Sequence, residues 1–273
     1  MTDADSVRIS IGGDGDVLAE QRGRTLLITI NRPEVRNAVN FNVGVGIGEA
    51  LDYAEDHSDI WTVIITGAGD RAFCAGADLK EVASSGFRQD PRTARWGFAG
   101  FVQHAISKPV IAAVNGFALG GGTEIALASD LIVAADTASF GLPEVKRGIY
   151  AGAGGAFRLP RQLPYKIGLE AVLTGQPIPA QRAYELGLVN RVVPFDDLLS
   201  EAFALADLIN QNAPIAVQVT KRIARSITDG AFADEAADWE RGAREGAFLM
   251  TTDDAKEGPR AFAEKRAPQW QGR

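Results

Sequence analysis

Hydrophobic and polar positions along the first two-thirds of the chain fall into alternating blocks. Thr25–Ile30 is a β-branched and aliphatic run stopped by Asn31-Arg32-Pro33, which predicts a strand. Asn42–Asp56 carries Val43, Ile47, Leu51 and Ala54 at helical spacing and predicts an amphipathic helix. Trp61–Thr66 predicts a buried strand ending at Gly67-Ala68-Gly69. Pro109–Val114 predicts another, ending at Asn115-Gly116, and Leu131–Ala135 a third after a short glycine-initiated helix. Strands separated by helices imply βα units and a largely parallel sheet layered with helices.

After Pro160 the period changes. Pro164–Leu173, Pro179–Leu186, Asp196–Asn212, Pro214–Thr228, Ala231–Met250 and Asp253–Lys265 read as helices. Prolines open several of them, where a missing N–H costs least. Leu188–Val193 reads as one short strand among them. The chain thus divides into an α/β body, residues 1–195, and a helical region, residues 196–273, with no linker between them. The helical region is amphipathic, so its apolar faces need the body or a second subunit to cover them.

Composition narrows the functions this fold class can carry. The length of 273 residues is enough to bury a sizeable core. Hydrophobic residues at 46% and charged residues at 23% exclude a disordered chain. Lys and Arg number 28 against 35 Asp and Glu, a net charge of −7, which argues against nucleic-acid or anionic-membrane binding. No apolar stretch has the length of a bilayer span, and Met1-Thr2-Asp3-Ala4-Asp5 does not read as a signal peptide. The expectation is a cytoplasmic protein in a reducing compartment. The single cysteine, Cys74, rules out an intrachain disulfide and a thiolate zinc site. Two histidines, His57 and His104, disfavour a histidine metal site, so no metal is expected. No G-x-S-x-G elbow accompanies either as the base of a serine triad. The 30 glycines cluster, which points to sites built from backbone.

Three segments carry candidate chemistry. Ala72–Lys80 (A-F-C-A-G-A-D-L-K) follows a strand and enters a helix at Asp78, whose plain reading is a capping residue. Its small residues let a ligand approach backbone N–H groups at a helix start. Asn115–Asp130 places Gly120-Gly121-Gly122 at a helix N-terminus with Glu124 in the first turn. Glu124 there is either a dipole-favouring acid or a carboxylate over the same opening. Ser139–Gly155 contains Glu144 after Pro143, then a second glycine run. Alone, Glu144 reads as a surface partner of Lys146 or Arg147. Taken together, two carboxylates and two glycine- or alanine-rich turns are the parts needed for chemistry beside a carbonyl. Backbone N–H groups can hold an oxyanion while carboxyl groups move protons. Cys74 reads as a buried small hydrophobe, His57 as exposed and His104 as packing or capping.

These residues resemble the enoyl-CoA hydratase/isomerase (crotonase) superfamily from about Val17 to Arg266. The matching pieces are Asn31–Asn40, Ala72–Lys80, Asn115–Asp130, Phe140–Gly155, Leu173-Thr174-Gly175 with Ala183–Asn190, and Glu257–Arg266. The resemblance implies a crotonase-like ββα spiral (the ClpP/crotonase fold) with C-terminal helices that build a homotrimer or a dimer of trimers. It implies acyl-CoA thioester substrates, with coenzyme A belonging to the substrate and no separate cofactor. By position, the oxyanion donors are the N–H groups of Ala77 and Gly121. Glu124 and Glu144 fall on the two catalytic glutamates of the hydratases. In that scheme Glu124 activates water for attack at C3, Glu144 supplies the proton to C2, and the Gly152 N–H helps hold the water.

The same resemblance places Arg36, Ala75, Ala77, Asp78 and Leu79 along the coenzyme A. It brings Phe262 and Lys265 of the tail helix to the nucleotide. The tail suits a phosphate ligand, because Lys256, Arg260, Lys265, Arg266 and Arg273 face only Glu257 and Glu264 over its last 18 residues. Ile149-Tyr150-Ala151 departs from the pattern, standing where many hydratases carry a proline just before the glycine matching Gly152. Lys146-Arg147 is charged where apolar residues are common. Ser84–Phe101, with Arg88, Arg92, Arg95, Trp96, Phe98 and Phe101, reads as a pocket wall, with ordinary core packing the favoured reading for Phe98 and Phe101. The expected activity is hydration of 2-trans-enoyl-CoA. Carnitinyl-CoA dehydration, Δ3,Δ2-enoyl-CoA isomerisation and a non-catalytic acyl-CoA-binding role are the alternatives.

Overall fold

The computed structural model describes residues 6–85, 91 and 94–273. Three strands open the chain, β1 (Ser6–Ile9), β2 (Val17–Arg22) and β3 (Thr25–Ile30), followed by α1 (Phe41–Asp56). Asn40 starts α1 by accepting the Val43 N–H on its side chain at 2.8 Å. A two-strand-plus-helix unit then repeats. It appears first as β4 (Thr62–Gly67), β5 (Ala72–Cys74) and α2 (Leu79–Ser85), and again as β6 (Val110–Val114), β7 (Phe117–Leu119) and α3 (Gly121–Ala128). The third unit has β8 (Leu131–Ala135), β9 (Ser139–Gly141), a 3-10 turn at Pro143–Arg147 and α4 (Gly155–Gln162).

The first strand of each unit joins one large sheet and the second joins a smaller one. After α5 (Tyr165–Thr174), β10 (Ile178–Pro179), α6 (Ala180–Glu185) and β11 (Arg191–Val193), both sheets are complete. The large sheet runs β1-β2-β3-β4-β6-β8-β11 and is parallel from β3 onward; the small one runs β10-β9-β7-β5. This is the expected α/β ββα spiral. The turn between the two strands of each unit carries successive β-to-helix turns to one region.

Alternation within the strands assigns the two cores. Val63 and Ile65 face the main core with Phe73, Cys74, Ala118 and Phe140, whereas Ile64, Leu27, Ile111 and Val133 face the other way. That second face is covered by α7 (Leu198–Asn210) through Leu198, Ala202 and Ala206. Both faces are buried, which is why these strands read as unbroken aliphatic runs.

The C-terminal helices are α8 (Pro214–Ala224), α9 (Ala236–Leu249) and α10 (Asp253–Ala263), with a hairpin of β12 (Ile227–Thr228) and β13 (Ala231–Phe232) between the first two. The hairpin corrects two expected helices, Pro214–Thr228 and Ala231–Met250. Its turn is Asp229-Gly230, both at positive φ (51° and 74°), the geometry Asp-Gly favours in a two-residue β-turn. The strand expected at Leu188–Val193 is only three residues long. Among the described residues no helix is long and apolar enough to cross a membrane.

Candidate active site

The Ala75–Asp78 turn is tied to the segment before α1. Val39 N–H donates to the Gly76 carbonyl and Asp78 N–H donates to the Val39 carbonyl, both at 2.8 Å, forming an isolated parallel bridge between Val39 and Ala77. In such a bridge the neighbours of Ala77 make the bonds, so its own N–H faces the opposite side. Asn37 buttresses the turn by donating to the carbonyls of Ala68 and Ala72, at 2.9 and 2.7 Å. Asp78 is the cap the sequence suggested. Its Oδ1 accepts the Lys80 and Glu81 N–H groups, and Oδ2 meets Arg32 at 3.0 Å.

The glycine run brings α3 against this turn. A Cβ at Gly122 would lie 2.0 Å from the Cys74 carbonyl oxygen, so the helix start and β5 approach more closely than any side chain allows. A Cβ on Gly76 would lie 3.3 Å from the Gly121 nitrogen, which places the two turns side by side. Gly121 is the first residue of α3, and a first-turn N–H has no acceptor within its helix. The turn that carries Ala77 and the start of α3 at Gly121 thus lie side by side.

Both glutamates reach this place. Glu124, on α3, is 3% exposed and accepts the Gly155 N–H on Oε1 at 2.9 Å. Burial and the neighbouring charge of Glu144 raise its pKa to about 8, while backbone N–H groups of Gly155 and Ala153 and the charge of Arg158 pull the other way. Glu144 sits in the 3-10 turn, and burial raises its pKa to about 7. A Cβ at Gly120 would lie 2.9 Å from Glu144 Oε1, so the carboxyl packs against the glycine run that carries Glu124. Glu144 Oε2 is buried and accepts no hydrogen bond within the described residues. The surface partnership with Lys146 or Arg147 does not form among these residues, and Arg147 instead lies over the Phe262 ring at 4.0 Å. Coupling of the two acids means that they titrate as a pair.

The loop from Gly148 to Gly155 closes the site. Gly152 is exposed at its tip, whereas Gly155 is the residue found on Glu124, a role the reading of the glycine run did not assign. The Tyr150 ring packs against Gly152, and its hydroxyl donates to the Gly242 carbonyl of α9 at 2.6 Å. Arg158, 2% exposed on α4, holds Glu235 through Nε and Nη2 at 2.9 and 2.6 Å and donates to the Val102 carbonyl.

Of the expected coenzyme A contacts, Arg36 is exposed at a left-handed turn (φ 58°), and its carbonyl accepts the Ala75 N–H. Leu79 and Phe262 are exposed apolar side chains at 57% and 46%. The tail's charge is largely neutralised locally. Arg266 holds Glu257 and Glu264, Arg260 holds Glu264, and Lys256 and Arg273 approach Asp253. Lys265 is the tail cation without an ion pair among the described residues. In the expected pocket wall, Trp96 stacks on His104 at 4.1 Å and Phe101 is core, while Phe98 packs on Gly121. Arg88 and Arg92 lie outside the described residues. Burial pushes the Cys74 thiol up to about 12 and keeps it inert. His57 is exposed and stacks on Tyr53.

A family model described as enoyl-CoA hydratase/isomerase matches residues 20–273. The chain belongs to this family. Its two sheets and C-terminal helices are the crotonase fold. The carnitinyl-CoA dehydratase of Proteus mirabilis (strain HI4320) is 42% identical over 254 residues, 92% of this chain and 97% of its own. An enoyl-CoA hydratase of Mycobacterium tuberculosis, EchA19, is 42% identical over 262 residues, 94% of this chain and 97% of its own. The solved carnitinyl-CoA hydratase of Mycobacterium avium matches with a TM-score of 0.92 at 51% identity, covering 100% of both chains. This crotonase-family site sets buried Glu124 beside half-buried Glu144 at the glycine run that opens α3.

Proposed function

We propose that this protein is an enoyl-CoA hydratase, adding water syn to 2-trans-enoyl-CoA to give 3-hydroxyacyl-CoA. The observation that carries the reading is the placement of buried Glu124 and half-buried Glu144 together at the start of α3, with both carboxyls raised toward neutrality. Hydration needs one base and one acid at neutral pH, and a pair that shares a proton across that range supplies both. In this mechanism Glu124 takes a proton from water as the water oxygen bonds to C3. The C2=C3 electron pair moves toward the thioester, whose oxygen gains negative charge. Ala77 and Gly121 N–H groups hold that oxygen. Glu144 then gives its proton to C2. The Gly152 N–H helps place the water. Dehydration is the reverse.

Coenzyme A runs along Arg36, Ala75, Ala77, Asp78 and Leu79 in this reading, with the Asp78 carboxylate kept for its cap. Phe262 and Lys265 of α10 meet the nucleotide. Exposed Ile215, Val219 and Ile223 on one face of α8, with Phe248 and Met250, support a trimer or a dimer of trimers. A buried, unbridged Cys74 is in keeping with a cytoplasmic setting.

Carnitinyl-CoA dehydration is the second reading, favoured by the names of relatives at 42% and 51% identity. Its substrate carries a quaternary ammonium, which aromatic faces would receive. The aromatic cluster of Phe157, Phe232 and Trp239 surrounds the Arg158 guanidinium at 5.5 to 5.7 Å and is not free to receive a second cation. The test is kcat/KM for crotonyl-CoA against carnitinyl-CoA, with a 3-enoyl-CoA as the isomerase control. A preference for crotonyl-CoA supports the hydratase; a preference for either other ester replaces it.

A further inference from the structure

One face of α9 is built to receive the loop that follows Glu144. Trp239, Gly242 and Gly246 recur at helical spacing on that face. A Cβ at Gly154 would lie 3.2 Å from Trp239, so the tryptophan packs on the loop backbone. Gly242 and Gly246 form a notch for the Tyr150 ring. A Cβ at Gly246 would sit 2.9 Å from Tyr150 Cε1 and 3.0 Å from its hydroxyl, and one at Gly242 would sit 3.3 Å from the hydroxyl. The hydroxyl is pinned by its 2.6 Å bond to the Gly242 carbonyl. The ring also lies over Gly152, where a Cβ would come within 3.1 Å of Tyr150 Cζ. A Cβ at Gly155 would lie 3.0 Å from both the Ala151 Cβ and Glu124 Cγ, so the residue next to Tyr150 in the loop borders Glu124.

An acyl thioester laid on this site has a fixed order. Its C1 oxygen is at Ala77 and Gly121, and C2 and C3 are at the two glutamates. In the proposed mechanism Gly152 helps place the water that attacks C3, so the groups bonded to C3 lie beside Gly152, over which the Tyr150 ring stands. We infer that Tyr150, seated in the Gly242/Gly246 notch, is a specificity-determining residue that closes the acyl end of the site and limits the chain accepted. This inference rests on the acyl-CoA reading proposed above. A rigid ring tethered at its hydroxyl has little freedom to swing aside for a longer chain, and each methylene excluded or admitted is worth roughly 10-fold or more in discrimination. The helical region thereby sets substrate range from within its own chain.

The experiment compares full-length wild type with Tyr150→Ala, Tyr150→Leu and Gly246→Ala. Two readouts are taken for each: kcat/KM for the four-carbon and ten-carbon 2-enoyl-CoAs, and Kd by calorimetry for saturated butanoyl-CoA and decanoyl-CoA. Circular dichroism confirms folding. The expected result for Tyr150→Ala is a rise of about 10-fold or more in the ten-to-four-carbon ratio, carried mainly by KM and mirrored in Kd. Tyr150→Leu moves it the same way by less and serves where the alanine variant fails to fold. Gly246→Ala, which displaces the ring without touching substrate, also changes the ratio. An unchanged ratio in a folded Tyr150 variant overturns the inference while leaving hydration standing. A Kd ratio that Tyr150→Ala shifts from the wild-type value, when wild type hydrates no enoyl-CoA, overturns the hydratase reading and keeps this one. A wild type that binds neither saturated ester overturns both.

Discussion

The Gly155 N–H donates to Glu124 Oε1 across 2.9 Å, joining the first turn of α4 to the first turn of α3. No side chain fits at this junction. A Cβ at Gly155 would meet Leu142 Cδ1 at 2.9 Å and both the Ala151 Cβ and Glu124 Cγ at 3.0 Å. Gly155→Ala is therefore expected to cost about 1–3 kcal/mol by overpacking and to lower kcat by displacing the carboxylate. Urea unfolding and steady-state rates check the two effects. A stable variant with full turnover would show that the contact positions nothing.

The pH dependence of kcat/KM reports on the pair. The active form holds one proton across Glu124 and Glu144, both raised toward neutrality, so a bell centred between about pH 7 and 8 is expected. The limbs belong to the coupled pair, so Glu144→Gln should remove one limb and move the other. A flat profile from pH 6 to 9 would separate the rate from these carboxyls.

The same shifts carry a stability cost whose sign follows from linkage. Both carboxyls are raised above their ordinary 4.5, so the folded state holds their protons more tightly than the unfolded state does. Their favourable contribution is complete below about pH 4.5 and is lost as pH rises through about 7 to 8. Glu124→Gln escapes this loss. Its stability relative to wild type should climb between pH 5 and 8.5, by about 1–4 kcal/mol. Thermal unfolding across that range gives the answer; a difference independent of pH would contradict the burial argument.

Little of this cost was legible in the chain itself. The large-sheet strands β3, β4, β6 and β8 were visible, because strands buried on both faces leave unbroken aliphatic runs. The small-sheet strands were not, since three residues such as Ala72–Cys74 cannot show a period. The hairpin at Ile227–Phe232 was passed over although Asp229-Gly230 carried its signal, because flanking apolar residues continued a helical pattern. Glu124 and Glu144 stood out only jointly with the glycine runs. Taken alone, Glu144 read as a partner of Lys146 or Arg147, since sequence spacing does not show that a side chain turns inward. The roles of Gly155 and Tyr150 rest on contacts 31 and 92 residues away in sequence, which no local pattern encodes.

Arg158 and Glu235 join α4 to the entry of α9 by two bonds in a buried setting. Arg158→Met leaves the Glu235 carboxylate buried without its counter-charge and is expected to cost about 3–5 kcal/mol. Adding Glu235→Leu should recover much of that loss. Denaturant midpoints of the single and double variants test this, and additive losses would argue against a coupled pair.

The most direct measurement is crotonyl-CoA hydration, followed as loss of enoyl-thioester absorbance, for wild type, Glu124→Gln and Glu144→Gln side by side. The two-carboxylate mechanism predicts turnover by wild type and a fall of about 10²–10⁴-fold in kcat for each variant, with folding intact. Full turnover by either variant, or none by wild type on any 2-enoyl-CoA, would contradict it.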